Sequence, residues 1–380
     1  MTVNPRPAPL KVAIIGGGPG GLGAAIEFAK LDYVDWNLYE KKPQISETGG
    51  GISLQRHTWR LLELIGAAGS IDPKDYYRAP DGTSGQTRNG RTGKLLEQSS
   101  HPADVPLQQR SCRMVRAKLQ SALLRNFVRS FAFPDHKIKY NGQSAYRTII
   151  HKPTAFGIEG LPKTPVFWQN VGGKYVFTCP LGGDDFEVTA RIRRPTEGQE
   201  HVSWGRPFDF SQLAPEYDEF CEPVRKVIQL AARGKTEEFA LFSGPRLESV
   251  ISHGALALIG DASHPLSGAF GAGAGFALED VYALTRSVDF TWRNGEGIAA
   301  GLKLYDEIRS PHYRDLYGVL DNFATTNAAL LAEQLSADEE IEERVRRASE
   351  KKATWMYHYE VDKVVDKLVG GQQSQPAALL

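Results

Sequence analysis

Sulfur is scarce: the 380 residues include three cysteines and three methionines. Cys112, Cys179 and Cys221 are odd in number and widely spaced, which argues against a disulfide framework and for a reducing, cytoplasmic setting. Neither CxxC nor HxxxH occurs in the sequence, so no metal site is legible. An excess of charge is missing too, because 45 Lys plus Arg balance 45 Asp plus Glu. That removes the general attraction for nucleic acid or acidic membranes expected of a basic binder. No apolar run approaches the ~20 residues of a membrane-spanning helix. The opening MTVNPRPAPL has no apolar signal core and reads as a loose arm. There is no internal repeat and no low-complexity linker. What is present, 41% hydrophobic and 24% charged residues, suits a soluble, metal-free globular protein of about two domains.

Along the chain, Val12 to Ile15 form a short β-branched run that suits a strand buried on both faces. Gly16, Gly18 and Gly21 follow in G-x-G-x-x-G spacing and lead into an Ala-rich helix. WNLYE reads as a second strand ending at Glu40. Gly51 lies in a glycine turn at 49–54, ahead of helical periodicity in Trp59, Leu61, Leu62 and Ile65. Residues 72–110 are polar and predict exposed loops with a hairpin at most. Residues 111–131 carry Met114, Leu119, Ala122 and Leu123 near helix spacing. From Tyr146 to Phe186, short β-rich runs broken by Gly-Gly and Pro predict antiparallel sheet. Pro215 to Ala232 reads as an amphipathic helix, ALALIGDASHPL as a return to buried strand, and GAGAGFALEDVYALTRSV as a glycine turn entering a helix. Beyond Leu302 the pattern is almost all helical, with a solvated acidic-basic run. The fold expected is α/β: a Rossmann-like domain from residues 10–135 and 245–335, interrupted by a mixed or antiparallel sheet domain at 136–244 and closed by a helical extension at 336–380.

A lone G-x-G-x-x-G is weak evidence, but here it follows a strand, opens a helix and is followed by an acid at the next strand end. Gly16 permits the tight turn, Gly18 lets backbone approach a pyrophosphate, and Gly21 lets helix and strand pack closely. The helix N-terminus offers free N–H groups and partial positive charge to phosphates. Glu40 can accept hydrogen bonds from a ribose diol. A second cluster lies far along the chain: Gly260-Asp261 at a strand end, then Gly271 to Gly275 opening a helix. Asp261 can hold a ribityl or ribose hydroxyl, and N–H groups around Gly271, Gly273 and Ala274 can face a flavin ring or a phosphate. A simple NAD dehydrogenase does not need this distant second contact, so FAD is favoured. The alternative use of Asp261 is a helix cap.

These segments, GGGPGG with Glu40, MVRAKLQ with Arg116, SAYRTII, and above all IGDASHPLSGAFGAGAGFALED, resemble the single-component FAD-dependent aromatic hydroxylases of the salicylate and para-hydroxybenzoate hydroxylase type. The resemblance runs from about Val12 to Pro311. It implies that Glu40 binds the adenosine ribose, Arg116 reaches the FAD phosphates or ribityl, Asp261 holds the ribityl chain, and Ala274 lies beside the flavin. NADH or NADPH would be the reductant, and a flavin hydroperoxide would hydroxylate a phenol or aromatic acid. Arg147, on a strand of the inner sheet, is the expected catalytic residue, pairing with a phenolate or carboxylate. His264 is either a flavin-site residue or a stabiliser of its turn. Phe167, Trp168, Tyr175 and Phe177 are read as sheet core, with some able to line the pocket, and Cys179 as a small buried hydrophobe. The chain departs from the family between residues 125 and 145, where relatives carry another strand pair and an Asp-Gly motif. The alternative function is therefore a shortened, catalytically silent FAD-binding relative.

Overall fold

In the computed structural model, residues 9–40, 51–68, 71, 73–115, 139–193, 204–266, 271–350 and 354–373 are described. The chain opens as a strand–helix–strand unit: β1 (Leu10–Ile15), α1 (Pro19–Phe28) and β2 (Val34–Tyr39), with β1 and β2 paired in parallel. Pro19 starts α1 where a missing N–H costs nothing. A three-stranded sheet and a helix follow: β3 (Gly51–Leu54), α2 (Arg56–Leu64), β4 (Tyr76–Tyr77), the hairpin β5 (Thr83–Asn89) and β6 (Leu95–Ser100), then β7 (Cys112–Val115) between β3 and β4.

The sheet segment contains β8 (Lys139–His151), α3 (Lys152–Phe156), β9 (Val166–Gln169), β10 (Tyr175–Pro180), β11 (Asp185–Arg193), β12 (Trp204–Phe208), α4 (Glu222–Ala231) and β13 (Thr236–Ser243). Together with the earlier hairpin these strands make one eight-stranded sheet, ordered β12-β13-β8-β11-β10-β9-β5-β6. Every neighbour is antiparallel except β5 and β9. Alternation gives the sheet two different faces. Tyr146, Trp168, Val176, Phe186 and Val188 fill a core with α4 residues Val224, Val227 and Ile228. The opposite face presents Ala145, Arg147, Phe177, Glu187, Thr189 and Arg191.

Among the described residues the remainder holds two short strands, β14 (Ile251–Ser252) and β15 (Leu256–Ala257), and four α-helices: α5 (Gly273–Arg293), α6 (Ile298–Ala332), α7 (Ala337–Glu350) and α8 (Val361–Gln373). Helix α5 is buried along most of its length, with α1, α2, α6 and α8 around it. Gly23 makes the α1 crossing possible, because a Cβ there would lie 2.9 Å from the Leu278 side chain.

The α/β fold with a large mixed sheet and a helical C-terminus is the one expected; four local expectations are corrected. Strand β1 is not buried on both faces: Lys11, Ala13 and Ile15 are exposed, and among the described residues its only partner is β2. Residues 112–115 are a strand rather than the start of a helix, because pairing with both β3 and β4 outweighs the helical spacing. The polar stretch at 72–110 contains the hairpin expected there, β5 and β6, but the hairpin joins the large sheet through β9 instead of standing among exposed loops. The run into Gly260 yields only β15, ending in a 3-10 turn at Gly260–Ala262. Among the described residues no helix is long and apolar enough to cross a membrane.

Candidate functional site

The first glycine motif has the geometry its spacing demands. Gly16 takes φ 106°, which L side chains rarely adopt. A Cβ on Gly21 would lie 1.7 Å from the Gly16 carbonyl oxygen, so this helix can approach its strand only with glycine there. Helix α1 begins beyond Gly18 with no side-chain cap. Beside it, the Glu40 carboxylate accepts a hydrogen bond from the Gly17 N–H at 2.7 Å. An acid at the end of β2 is thereby tied to the glycine turn.

The second motif folds against the same space. Gly260 turns at φ +58° and places Asp261 in the 3-10 turn. Gly271, at φ +61°, sits over Ser53, and a Cβ on Gly273 would lie 3.6 Å from an Asp261 oxygen. The turn is held from behind. The Gly260 N–H donates to Asp280 Oδ2 at 2.7 Å, and His264 Nε2 lies 3.0 Å from the same oxygen. Arg309 on α6 reaches Asp280 Oδ1 through Nε and Glu279 through Nη2, both at 2.8 Å, and Tyr313 donates its hydroxyl to Asp280. Glu279, Asp280, Arg309 and His264 are wholly buried. Burial raises the Glu279 carboxyl against the pull of Arg309, and pushes the His57 imidazole down to about 3. Gly275 lets α5 meet α2, because a Cβ there would fall 2.1 Å from His57 Nε2. His264 thus belongs to the support of the turn.

The inner face of the large sheet forms the opposite wall. Arg147 on β8 stacks over Phe239, 5.1 Å from the ring centre, with its Nε 4.0 Å from Glu187 Oε1. Glu187 also accepts from Arg113 and, at 2.9 Å, from the Thr189 hydroxyl. Arg113 donates a second bond to Ser53 Oγ at 2.8 Å, which fastens β7 and β3 to the sheet. Gly51 lies on this ion pair, since a Cβ there would fall within 3 Å of Glu187 and Arg113 atoms. Cys179 is fully buried and burial pushes its thiol up to about 12, so it is inert. Further along, Arg191 bonds to the Tyr175 hydroxyl at 3.1 Å and to Gln143.

One continuous cavity of about 1320 Å³ joins the three regions. It is lined by Gly16, Gly18, Gly21, Glu40, Gly51, Asp261, Gly271, Gly273, Ala274 and Arg147, so the expected site residues meet in space. Arg116 lies outside the described residues. Of the four aromatics, Phe167, Tyr175 and Phe177 line the cavity, whereas Trp168 is in the core on the other face. Arg113, Glu187, Thr189 and Arg191 also line it and were not anticipated. The period-2 pattern of DFEVTARIR could have singled out the last three. Arg113 was obscured by reading its strand as helix. Among the described residues there is no group of three or more His, Cys, Asp or Glu that could hold a metal.

No family model matches the chain. It is 23% identical over 401 residues to a salicylate hydroxylase of Pseudomonas putida, covering 86% of this chain and 90% of that protein. It is likewise 23% identical over 381 residues to a 6-methylsalicylate 1-monooxygenase of Aspergillus terreus, covering 81% and 80%. In three dimensions it resembles a salicylate hydroxylase solved as a substrate complex, with TM-score 0.75, 19% identity, and coverage of 98% of this chain and 100% of that one. It also resembles Klebsiella pneumoniae HpxO complexed with FAD and uric acid, with TM-score 0.63, 18% identity and 95% coverage of each chain. The resemblance to the FAD-dependent aromatic hydroxylases is therefore borne out: relatives across most of the sequence are monooxygenases of this kind, and the fold is theirs.

Proposed function

We propose that this chain is an FAD-dependent monooxygenase that hydroxylates a phenolic or aromatic-acid substrate, with NADH or NADPH as reductant. The observation that carries the reading is the single cavity in which two glycine-opened helix N-termini, two acids and an arginine-bearing aromatic wall converge. The donors fit FAD. The α1 N-terminus offers N–H groups to a pyrophosphate, and Glu40 and Asp261 offer carboxylate acceptors to ribose and ribityl hydroxyls. The close approach of Gly273 to Asp261, with Ala274 beside it, leaves a cradle without side chains at the start of α5. By the family resemblance, Arg116 serves the phosphates or ribityl chain.

When bound, FAD supplies the redox chemistry, accepting electrons from the nicotinamide and passing an oxygen atom of O₂ to the substrate. The protein's part is placement and exclusion of water. Arg147 pairs with the substrate oxyanion; holding the phenol ionised enriches the ring carbon that is attacked. Phe167, Phe177 and Phe239 give that pair an apolar surround, in which its electrostatic attraction is stronger than in water. Glu187, held by Arg113 and Thr189, fixes the direction from which Arg147 approaches. A second reading, an FAD-binding relative that does not turn over, is favoured by β1 having β2 as its only partner among the described residues, and by the shortened stretch before residue 145.

Flavin titration tests the cofactor. Glu40→Ala and Asp261→Ala should each weaken FAD binding by ~1.5–3 kcal/mol, the value of a hydrogen bond to a charged acceptor. Unchanged FAD dissociation constants in both would refute the assignment. Hydroxylation should fall in the order wild type, Arg147→Lys, Arg147→Ala, because lysine keeps the charge but loses the fork. A chain that binds FAD yet fails to oxidise NAD(P)H with any substrate tried would favour the silent relative.

A further inference from the structure

Three arginines, Arg113, Arg147 and Arg191, line the sheet side of the cavity, and their electrostatic situations differ. Arg113 and Arg147 share one carboxylate, that of Glu187. Arg191 has none: among the described residues no carboxylate oxygen lies within 4.0 Å of its guanidinium. Its hydrogen-bond partners are both neutral, the Tyr175 hydroxyl and the Gln143 side-chain oxygen, and its Nε–H is buried without an acceptor. The guanidinium also lies over the Tyr175 ring, 5.5 Å from its centre, with Phe167 and Phe177 alongside.

An arginine cannot relieve such a position by losing its proton, as a lysine can. A half-buried cation against aromatic walls is therefore a standing electrostatic demand for an anion. Its neutral partners hold the side chain in place without satisfying its charge. The Tyr175 hydroxyl accepts from Arg191, which leaves its own proton to be donated alongside the guanidinium. The strand register fixes where this demand lies. Thr189 stands opposite Arg147, and Arg191 is the next residue along β11 on the same face. The two arginines are thus diagonal cross-strand neighbours, with Cα atoms roughly 7–8 Å apart. Arg191 lies farther than Arg147 from Glu187, the residue fastened through Arg113 to Ser53 and thus toward the Gly271 turn.

We infer that Arg191, with Tyr175, is a specificity-determining residue that receives a carboxylate on the ligand remote from the oxygen held by Arg147. The ligand class is then a phenol whose acidic group is carried away from the hydroxyl across the ring, rather than an uncharged phenol. This deepens the proposed function and rests on its placement of the substrate against the sheet face.

The test compares 3-(4-hydroxyphenyl)propanoate with its uncharged amide, by equilibrium dialysis against the full chain with and without added FAD. Wild type should bind the acid at least tenfold more tightly than the amide. Arg191→Gln should bring that ratio close to one, mainly by weakening the acid, while the amide changes less than twofold. Arg191→Lys should restore part of the preference. Arg147→Gln should weaken both ligands and leave their ratio near its wild-type value, which separates the two ends of the ligand. Flavin affinity, measured in parallel, should be unchanged in Arg191→Gln. The inference is overturned if Arg191→Gln keeps the acid preference, if wild type shows none, or if the acid does not bind. Absence of FAD binding alongside an Arg191-dependent acid preference would instead remove the monooxygenase reading and leave the anion site standing.

Discussion

Two clusters of arginine and carboxylate lie inside this protein, and they are built for different ends. The helix cluster, Glu279, Asp280 and Arg309 with His264 and Tyr313, is sealed, and every one of these residues is almost wholly buried. Its hydrogen bonds run to the Gly260 N–H and between α5 and α6. The sheet cluster, Glu187 with Arg113 and Arg147, opens onto the cavity, with 13% and 22% of the two arginine side chains exposed. The sealed cluster contains two carboxylates that converge on one guanidinium, and it fixes a turn. The open cluster contains two guanidiniums that converge on one carboxylate, and both line the cavity. The first is architecture; on the function proposed above, the second is recognition.

The largest expected effect lies in the sealed cluster. Arg309→Met would leave Glu279 and Asp280 adjacent in the core without their cation. Breaking a buried pair from one side typically costs ~3–5 kcal/mol, a large share of the stability of an ordinary domain. Urea unfolding should show a loss of that size, and Arg309→Lys a smaller one. A loss below ~1 kcal/mol would mean that water reaches the cluster, and the distinction from the open one would fail.

Acid should act on the same region. His57 and His312 are held neutral, mainly by burial and then by Arg309. In the unfolded chain both take up a proton as pH falls below about 6.5, while folded His57 resists until about 3. Through these two histidines the unfolded state binds more protons in that window, so stability falls as pH drops from 6.5 toward 3. The raised carboxyl of Glu279, which takes up its proton first in the folded state, opposes this in part. Each histidine adds ~1.4 kcal/mol per pH unit to the slope well inside the window. Unfolding midpoints between pH 7 and pH 4.5 should show this, and His312→Gln should flatten the slope.

The contrast between the clusters also marks what was legible in the sequence. The glycine motifs were, because their requirements are local: Gly16 needs a positive φ and Gly21 needs contact with a carbonyl five residues away. The α5 helix and its glycine turn were legible for the same reason. The ion pairs were not, because Arg113 meets Glu187 and Asp280 meets Arg309 only once distant segments have packed. Strand β7 was misread because its partners lie far away in sequence, and helical spacing was the only local signal. Arg147 is singled out by the family resemblance and its strand, and it lines the cavity; Arg191, on an equally clear strand, stands out only once its neutral partners are in view.

The smallest stability change, with an opposite effect on binding, is expected from Glu187→Gln. Glutamine keeps the volume; with its oxygen toward Arg113, its NH2 group lies toward Thr189 and donates to that hydroxyl, so packing and a hydrogen bond to each partner survive. What is lost is the negative charge between two arginines, and both border a cavity that water can enter. Glu187 is itself buried, so the cost should exceed the ~1 kcal/mol of an exposed pair, but the water that reaches the two arginines should keep it below that of Arg309→Met. Removal of the carboxylate takes one negative charge from beside Arg113 and Arg147, so the positive potential over the inner sheet face rises. The propanoate probe should then bind several-fold more tightly, its amide, which shares the oxygen held by Arg147, should gain less, and added salt should shrink both gains. A Glu187→Gln protein that lost as much stability as Arg309→Met, or bound the acid more weakly than wild type, would show that Glu187 builds the wall rather than setting its charge.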